Sequence, residues 1–401
     1  CKAGLSGSIS EDGGKTFRTI GSGVHADVHD FFFNPLHEDQ LILGCDGGVY
    51  RSWDGGNVWE MVKGLPLSQY YHVTVDNEKP FNVYGGLQDN GSWVGPSAKR
   101  SGAVLDRDWV SVGYGDGFRV YPHPEDPNIL YSEMQGAEKI WRVNRAKNQA
   151  KIIKPYPEKG QPKLRFNWNP PITTSPHEPD RLYAGSQFLH KSEDRGESWE
   201  TISPDLTTND PAKQNQEESG GLSKDNSGAE NHCTIFAIGE SPIDENIIWV
   251  GTDDGNVQVT YNGGKDWRNV TATYQDLVPE HTWVYHIEPS SFDPNTAYAV
   301  FDGHTQNDLT PYVLKTTDGG KTWTSIATEE IEGFARSIQE DYVNPNLLYL
   351  GTEFGLYITI DGGQSWNKFT NNMPAVAVHH LTLHPRDHAL VLGTHGRGII
   401  I

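Results

Sequence analysis

Cysteine is scarce in this chain. Cys1, Cys45 and Cys233 are the only three in 401 residues, too few for a disulfide framework and without metal-ligand spacing. They leave the compartment unread. Basic residues are also in short supply: 32 Lys and Arg stand against 53 Asp and Glu, a formal net charge of −21. Such a balance disfavours nucleic acid and anionic membrane surfaces as partners. It also disfavours strongly anionic substrates unless a local basic pocket exists. No apolar run is long enough for a membrane-spanning helix, so membrane insertion is not expected. A helical period is missing as well, beyond a few residues at a time.

What the chain does have is one turn motif in six copies. They start at Ser10, Ser52, Ser192, Thr260, Thr316 and Thr359, and read Ser/Thr-x-Asp-x-Gly-x-x-aromatic, with Asn262 in place of Asp in the fourth. The Asp and Ser/Thr side chains hydrogen-bond the backbone of a tight connection. The Gly supplies a conformation other residues resist. The aromatic opens the next strand and buries a large apolar face.

The third motif positions fall at 12, 54, 194, 262, 318 and 361, leaving gaps of 42, 140, 68, 56 and 43 residues. A unit of roughly 40–50 residues is the size of a four-stranded propeller blade. The longest gap then holds two units without the motif, around Phe81–Tyr84 and Asn128–Tyr131, and the next carries a polar insertion, 205–230, expected as a surface loop. Within each unit an alternating strand meets a Pro-containing turn such as Asn34-Pro35 or Asn344-Pro345. An apolar strand, a Gly-rich turn, a third strand and the motif turn follow. Short strands punctuated this way predict an all-β fold. The expectation is a single β-propeller domain over 1–401, of four-stranded antiparallel blades. Eight blades are expected, with seven as the alternative, and the ring is closed by pairing strands from the two ends of the chain. The chain lacks an initiator Met and stops within a strand pattern, Gly398–Ile401, which reads as a fragment of a longer protein.

Function on propellers gathers where loops converge over the channel. Those segments here are the entries to the first strands and the turns between second and third strands. They bring His25, Asp27, His29 and Asp30, then Tyr70, Tyr71, Gln88 and Asp89, then Asp116, Trp168, Trp283, Asp302, His304, His395 and Arg397. Carboxylates, amides, imidazoles and aromatic rings on one rim suit a neutral polysaccharide or oligosaccharide, since rings stack on sugar faces and carboxylates accept hydroxyl protons. Asp-Gly turns are also ordinary hairpin chemistry, so each such Asp has a purely structural reading beside the functional one. His25 and His29 would meet His379 and His380 if the termini closed the ring, but neutral imidazoles at a rim more often hydrogen-bond than hold zinc. Asp253 and Asp254 show no full oxygen cage for calcium. Neither a metal nor a cofactor is expected.

The six turns resemble Asp-box, or bacterial neuraminidase, repeats. With Asn344–Thr352 they look most like large bacterial propellers of the sortilin-like and xyloglucanase-like group. The resemblance implies an extracytoplasmic location: extracellular, periplasmic or cell-surface. It implies either a glycoside hydrolase with paired carboxylates or a receptor-like propeller that grips a protein or peptide partner. In the hydrolase case the run Val28-His29-Asp30-Phe31 resembles the family's catalytic segment and makes Asp30 the acid/base candidate, with Asp116 or Asp302 as substitute partners. A sialidase is disfavoured by the absence of a Phe/Tyr-Arg-Ile-Pro segment and by the net charge of −21.

Overall fold

The repeated turn is tied by its own side chains. In the computed structural model, which describes every residue except 21, 22, 220–223, 225 and 230, Asp318 Oδ1 accepts the N–H groups of Lys321 at 3.0 Å and Thr322 at 2.9 Å, while Thr316 Oγ1 accepts that of Gly320 at 2.9 Å. Asp12, Asp54, Asp194 and Asp361 repeat the pattern. In the fourth copy Asn262 Oδ1 accepts from Asp266 N–H at 2.9 Å, and its amide donates to the Asp266 carboxylate at 2.8 Å. Gly320 sits at φ 80°, where a Cβ is strained, so the motif demands glycine there. Five of the six turns join the third and fourth strands of a four-stranded antiparallel sheet.

The protein is an all-β propeller fold. Contacts divide the chain into two compact units, Cys1–Leu67 and Ser68–Ile401. The first holds a two-stranded ladder, Ser8–Ile9 with Arg18–Thr19, and a four-stranded sheet, Val28–Phe33, Leu41–Cys45, Gly48–Ser52 and Glu60–Met61. Its core is Ile9, Ile20, Val28, Leu41, Leu43 and Tyr50, with Trp59 set edge-on to Phe31.

The second unit contains seven sheets, here numbered one to seven by their first strands: Tyr70–Val75, Gly117–Pro122, Ile172–Thr174, Ile235–Glu240, Trp283–Pro289, Ala335–Glu340 and Val378–Leu383. Each first strand lies beside the sheet before it, and that of sheet one lies beside sheet seven. An apolar core fills each junction. Trp249, Val284 and Phe301 join sheets four and five, Val300 and Leu350 join five and six, and Val73 and Val391 join seven to one. The motif tryptophans fasten these junctions. Trp366 donates its indole N–H to Ile326 O at 2.7 Å, Trp267 to Ile202 O at 3.0 Å and Trp199 to Ile153 O at 2.6 Å, in each case reaching back past its own sheet.

Two expectations need correction. Strands from the two ends of the chain do not share a sheet: Ser8–Ile9 pairs with Arg18–Thr19, and Val378–Leu383, Leu390–Thr394 and Ile399–Ile400 form a three-stranded sheet of their own. The reason lies in packing. Val391 buries against Val73 and Tyr70, so sheet one already has its neighbour in sheet seven. The insertion at 205–230, several of whose residues lie outside the described set, is not all surface loop either. Leu206 is fully buried in the core between sheets three and four, and Thr208 donates through both N–H and Oγ1 to Asp254.

Candidate functional site

At one end of the second unit, the loops entering the first strands interlock with the turns between second and third strands. Asp116 stands at the centre of one such knot, just ahead of sheet two. Its Oδ1 accepts the Asp89 N–H at 2.6 Å, its Oδ2 accepts the indole N–H of Trp168 at 2.9 Å, and its own N–H donates to Gln135. Asp89 holds φ 61°, which aims that N–H at the carboxylate. Beside it Tyr71, its ring 4.4 Å from that of Phe118 and tilted against it, donates its hydroxyl to Gln88 at 3.1 Å, and Gln88 also accepts from Gln69. Burial, with Asp116 nearby, raises the Tyr71 hydroxyl well above the usual phenol range. Three sheets thus meet in one constellation of Tyr71, Gln88, Asp89, Asp116 and Trp168.

A second knot surrounds Arg336, at the start of sheet six. Its guanidinium lies 3.2 Å from Asp302, donates to Tyr285 Oη at 3.0 Å, and sits 4.8 Å over the Tyr285 ring and 5.1 Å over Phe334. Asp302 also accepts from the His304 imidazole at 2.7 Å, and His304 stacks on Phe334. Trp283, half-buried, packs on Phe236, which in turn contacts Tyr285. His395 Nδ1 meets His379 Nε2 at 3.0 Å. Burial, with Arg336 as the largest charge nearby, holds His379 well below the usual imidazole range.

Both carboxylates in these knots are buried and hydrogen-bonded, Asp116 at 8% and Asp302 at 3% exposure. They position aromatic and cationic groups; neither is presented as a free acid or base. Asp253 is a third such group. It accepts from Thr234 N–H and Oγ1 and from Asn167 Nδ2, and burial pushes its carboxyl up to about 7.

No protein-family model matches the chain, and no curated protein matches it in sequence. Solved structures do. The chain is similar to the extracellular domain of the one component system BT4673 from B. thetaiotaomicron, at 15% identity and a TM-score of 0.52, over 84% of this chain and 38% of that one. It is similar to YCF48 bound to D1 peptide at 12% identity and a TM-score of 0.46, covering 93% and 91%. The GH74 enzyme from Niastella koreensis follows at 14% identity and 0.39, covering 98% and 67%. Only the first superposes well enough to bear on the fold, and at this identity it bears on nothing else.

The remaining sequence candidates scatter. His25, Asp27, His29 and Asp30 belong to the first unit. His29 Nε2 lies 2.5 Å from Asp46 Oδ1. Asp30 is exposed, and its carboxylate accepts the N–H of its own neighbour Phe31 at 2.8 Å, with no second carboxylate among its hydrogen-bond partners. Asp27 takes φ 58°, a backbone role. Tyr70, expected on the rim, is buried in the core between sheets seven and one, packed over Gly85, because Gly85 leaves room where any Cβ would collide with the ring. Arg397 is exposed on the rim. Among the described residues no group of three or more His, Cys, Asp or Glu could hold a metal ion, and no helix is long and apolar enough to cross a membrane. The reading of turns and strand entries missed Arg119 and Arg336. Both lie within first strands at inward positions, and a cation amid apolar alternation was the available signal.

Proposed function

We propose that the second unit is a binding propeller, acting outside the cytoplasm, whose loop rim recognises a neutral glycan. The observation that carries this reading is the Trp168–Asp116 contact. An indole held rigid by a buried carboxylate, with Tyr71, Trp283 and the exposed Tyr114 on neighbouring loops, offers preorganised flat faces beside amides and hydroxyls. Such faces stack on pyranose rings at low entropic cost. The turn motifs fit membership of the Asp-box repeat group. The extracytoplasmic placement agrees with the description of the BT4673 domain as extracellular.

Binding without hydrolysis is the form supported best. Asp116 and Asp302 are committed to protein donors, whereas glycoside hydrolysis needs one carboxylic acid and one carboxylate free to face the scissile bond. The hydrolytic alternative assigns the acid/base role to Asp30, and in that case Asp30→Asn abolishes turnover. The test is calorimetric titration of neutral polysaccharides, with tryptophan fluorescence as second readout. Trp168→Ala should weaken binding at least tenfold, roughly the loss of one stacked ring. Absence of heat with every neutral glycan, together with recovery of a bound protein partner, would replace this reading by the receptor-like one.

A further inference from the structure

A cavity of about 50 Å³ lies on the axis of the second unit, and all seven first strands contribute to its wall, through His72, Arg119, Thr173, Ala237, His286, Arg336 and His380. None of the residues lining it is acidic.

The hydrogen bonds around it fix where the imidazole protons are. Arg119 donates from Nη1 to Asn169 Oδ1 at 2.6 Å, which sets the orientation of that amide. Asn169 Nδ2 therefore donates to His72 Nε2, 3.1 Å away. With Nε2 accepting, the neutral His72 ring carries its proton on Nδ1, and Nδ1 is buried with no hydrogen-bond partner among the described residues. His380 Nδ1 accepts from Val73 N–H at 3.4 Å and His286 Nδ1 from Ile338 N–H at 3.3 Å, so both rings carry their proton on Nε2. The three rings are clustered, His380 lying 4.8 Å from His72 and 6.0 Å from His286 between centroids. Burial keeps all three neutral, holding His286 at about 4 and the other two well below the usual range.

Two guanidiniums supply the charge. Arg119 and Arg336 are 8% and 9% exposed. Arg336 has Asp302 at 3.2 Å. The counter-ion of Arg119 is Glu133, at 3.7 Å, and burial pushes that carboxyl upward, toward its neutral form, which weakens its compensation of the Arg119 charge. An orphaned buried N–H is costly, and a cavity walled by donors and cations favours an acceptor that carries negative charge.

We propose that this axial cavity is a binding site for a small monovalent anion, a halide or a one-carbon carboxylate, held by the N–H groups of His72, His286 and His380 in the field of Arg119 and Arg336. The occupant is limited by volume to a few atoms, and its binding adds to the ties across the axis that Arg119 already makes by donating to Phe236 O at 3.3 Å.

Crystals of the chain grown in sodium bromide test this directly, with thermal melting in sodium chloride, sodium formate and sodium gluconate at equal ionic strength as the solution arm. An anomalous bromide peak enclosed by the three imidazoles is expected. The melting midpoint is expected to rise by roughly 2 °C per tenfold increase in chloride above half-saturation, and to stay flat in gluconate, which is too large to enter. Stabilisation by chloride and formate alike supports a site open to both anion types, and stabilisation by chloride alone supports a halide site. His286→Phe should remove both the peak and the chloride response; persistence of the peak in that variant overturns the assignment. Should the variant fail to fold, the wild-type crystal decides alone: water in the cavity with no bromide, and identical melting in chloride and gluconate, overturns it.

Discussion

Tyr298 donates its hydroxyl to Glu340 Oε1 at 3.0 Å, from the second strand of sheet five to the end of the first strand of sheet six. The same carboxylate accepts from Ser290 Oγ and Ser291 N–H. The device recurs one junction earlier but one, where Tyr183 donates to Glu240 at 3.0 Å between sheets three and four. Two of the junctions are therefore joined by buried, hydrogen-bonded carboxylates as well as by apolar cores. Tyr298→Phe leaves a buried acceptor with one donor fewer and should cost about 1–2 kcal/mol; Glu340→Ala strands three donors and should cost about 3 kcal/mol or more. Urea denaturation measures both. An unchanged midpoint in Glu340→Ala would show that the junction rests on apolar contact alone.

The repeat made the sheets legible in advance because its chemistry is local. Asp318 binds N–H groups three and four residues on, so the turn and its place between third and fourth strands can be read from one short window. Of the three sheets lacking the motif, those beginning at Tyr70 and Gly117 were legible only from the spacing of their neighbours. Ring closure was not legible. It depends on Val73 meeting Val391, residues 318 apart in the chain whose apolar character is shared by dozens of others. At the rim, the sequence offers polar and aromatic residue types, but neither the burial of Tyr70 nor the commitments of the others is legible in it. That Asp116 spends its oxygens on Asp89 and Trp168 follows from the three-dimensional arrangement of three sheets.

Asp253 makes a pH-dependent contribution whose sign can be worked out. Its folded carboxyl, pushed up to about 7 by burial, lies above the value of about 4 for an unfolded aspartate. Between those limits the folded state keeps a proton that the unfolded chain has released, so stability falls as pH rises from about 4 to about 7. Asp253→Asn removes that slope. Its stability deficit relative to wild type should be largest near pH 4 and shrink by at least about 1 kcal/mol by pH 8. Denaturation midpoints of the two proteins at pH 4, 6 and 8 provide the check, and a constant difference would contradict a protonated Asp253.

The fourth motif copy supplies a natural exchange experiment. There Asn262 and Asp266 occupy positions that are Asp318 and Thr322 in the fifth copy, with the hydrogen bond between the side chains reversed in direction. Asp318→Asn alone loses the acceptor for the Thr322 hydroxyl and should lower the unfolding midpoint. Adding Thr322→Asp rebuilds the Asn262–Asp266 pairing and should recover most of the loss, a coupling that a double-mutant cycle measures directly. The single variant should also be less sensitive to acid. Hydrogen bonds from Thr322, Thr316 and Lys321 hold the Asp318 carboxyl down to about 2, so its contribution is present above about pH 4 and is lost as pH falls through about 2. Additive effects of the two substitutions would mean that the copies are alike in backbone only.

The insertion between sheets three and four has an anchored beginning, and among the described residues farther along Lys224 makes only an exposed ion pair. Leu206 is fully buried among Tyr183, Leu189, Ile235 and Val250, and Asn256 and Gln258 both donate side-chain N–H groups to its carbonyl, at 3.2 and 2.9 Å. Leu206→Ala should cost about 2–4 kcal/mol, the transfer and cavity penalty of a buried leucine. Farther along, Lys224 pairs with Glu217 at 3.1 Å with both side chains largely exposed, and Lys224→Ala should change stability by less than about 0.5 kcal/mol. Paired denaturation curves distinguish the two. A small loss for Leu206→Ala would show that the Leu206 side chain contributes little to the core between sheets three and four.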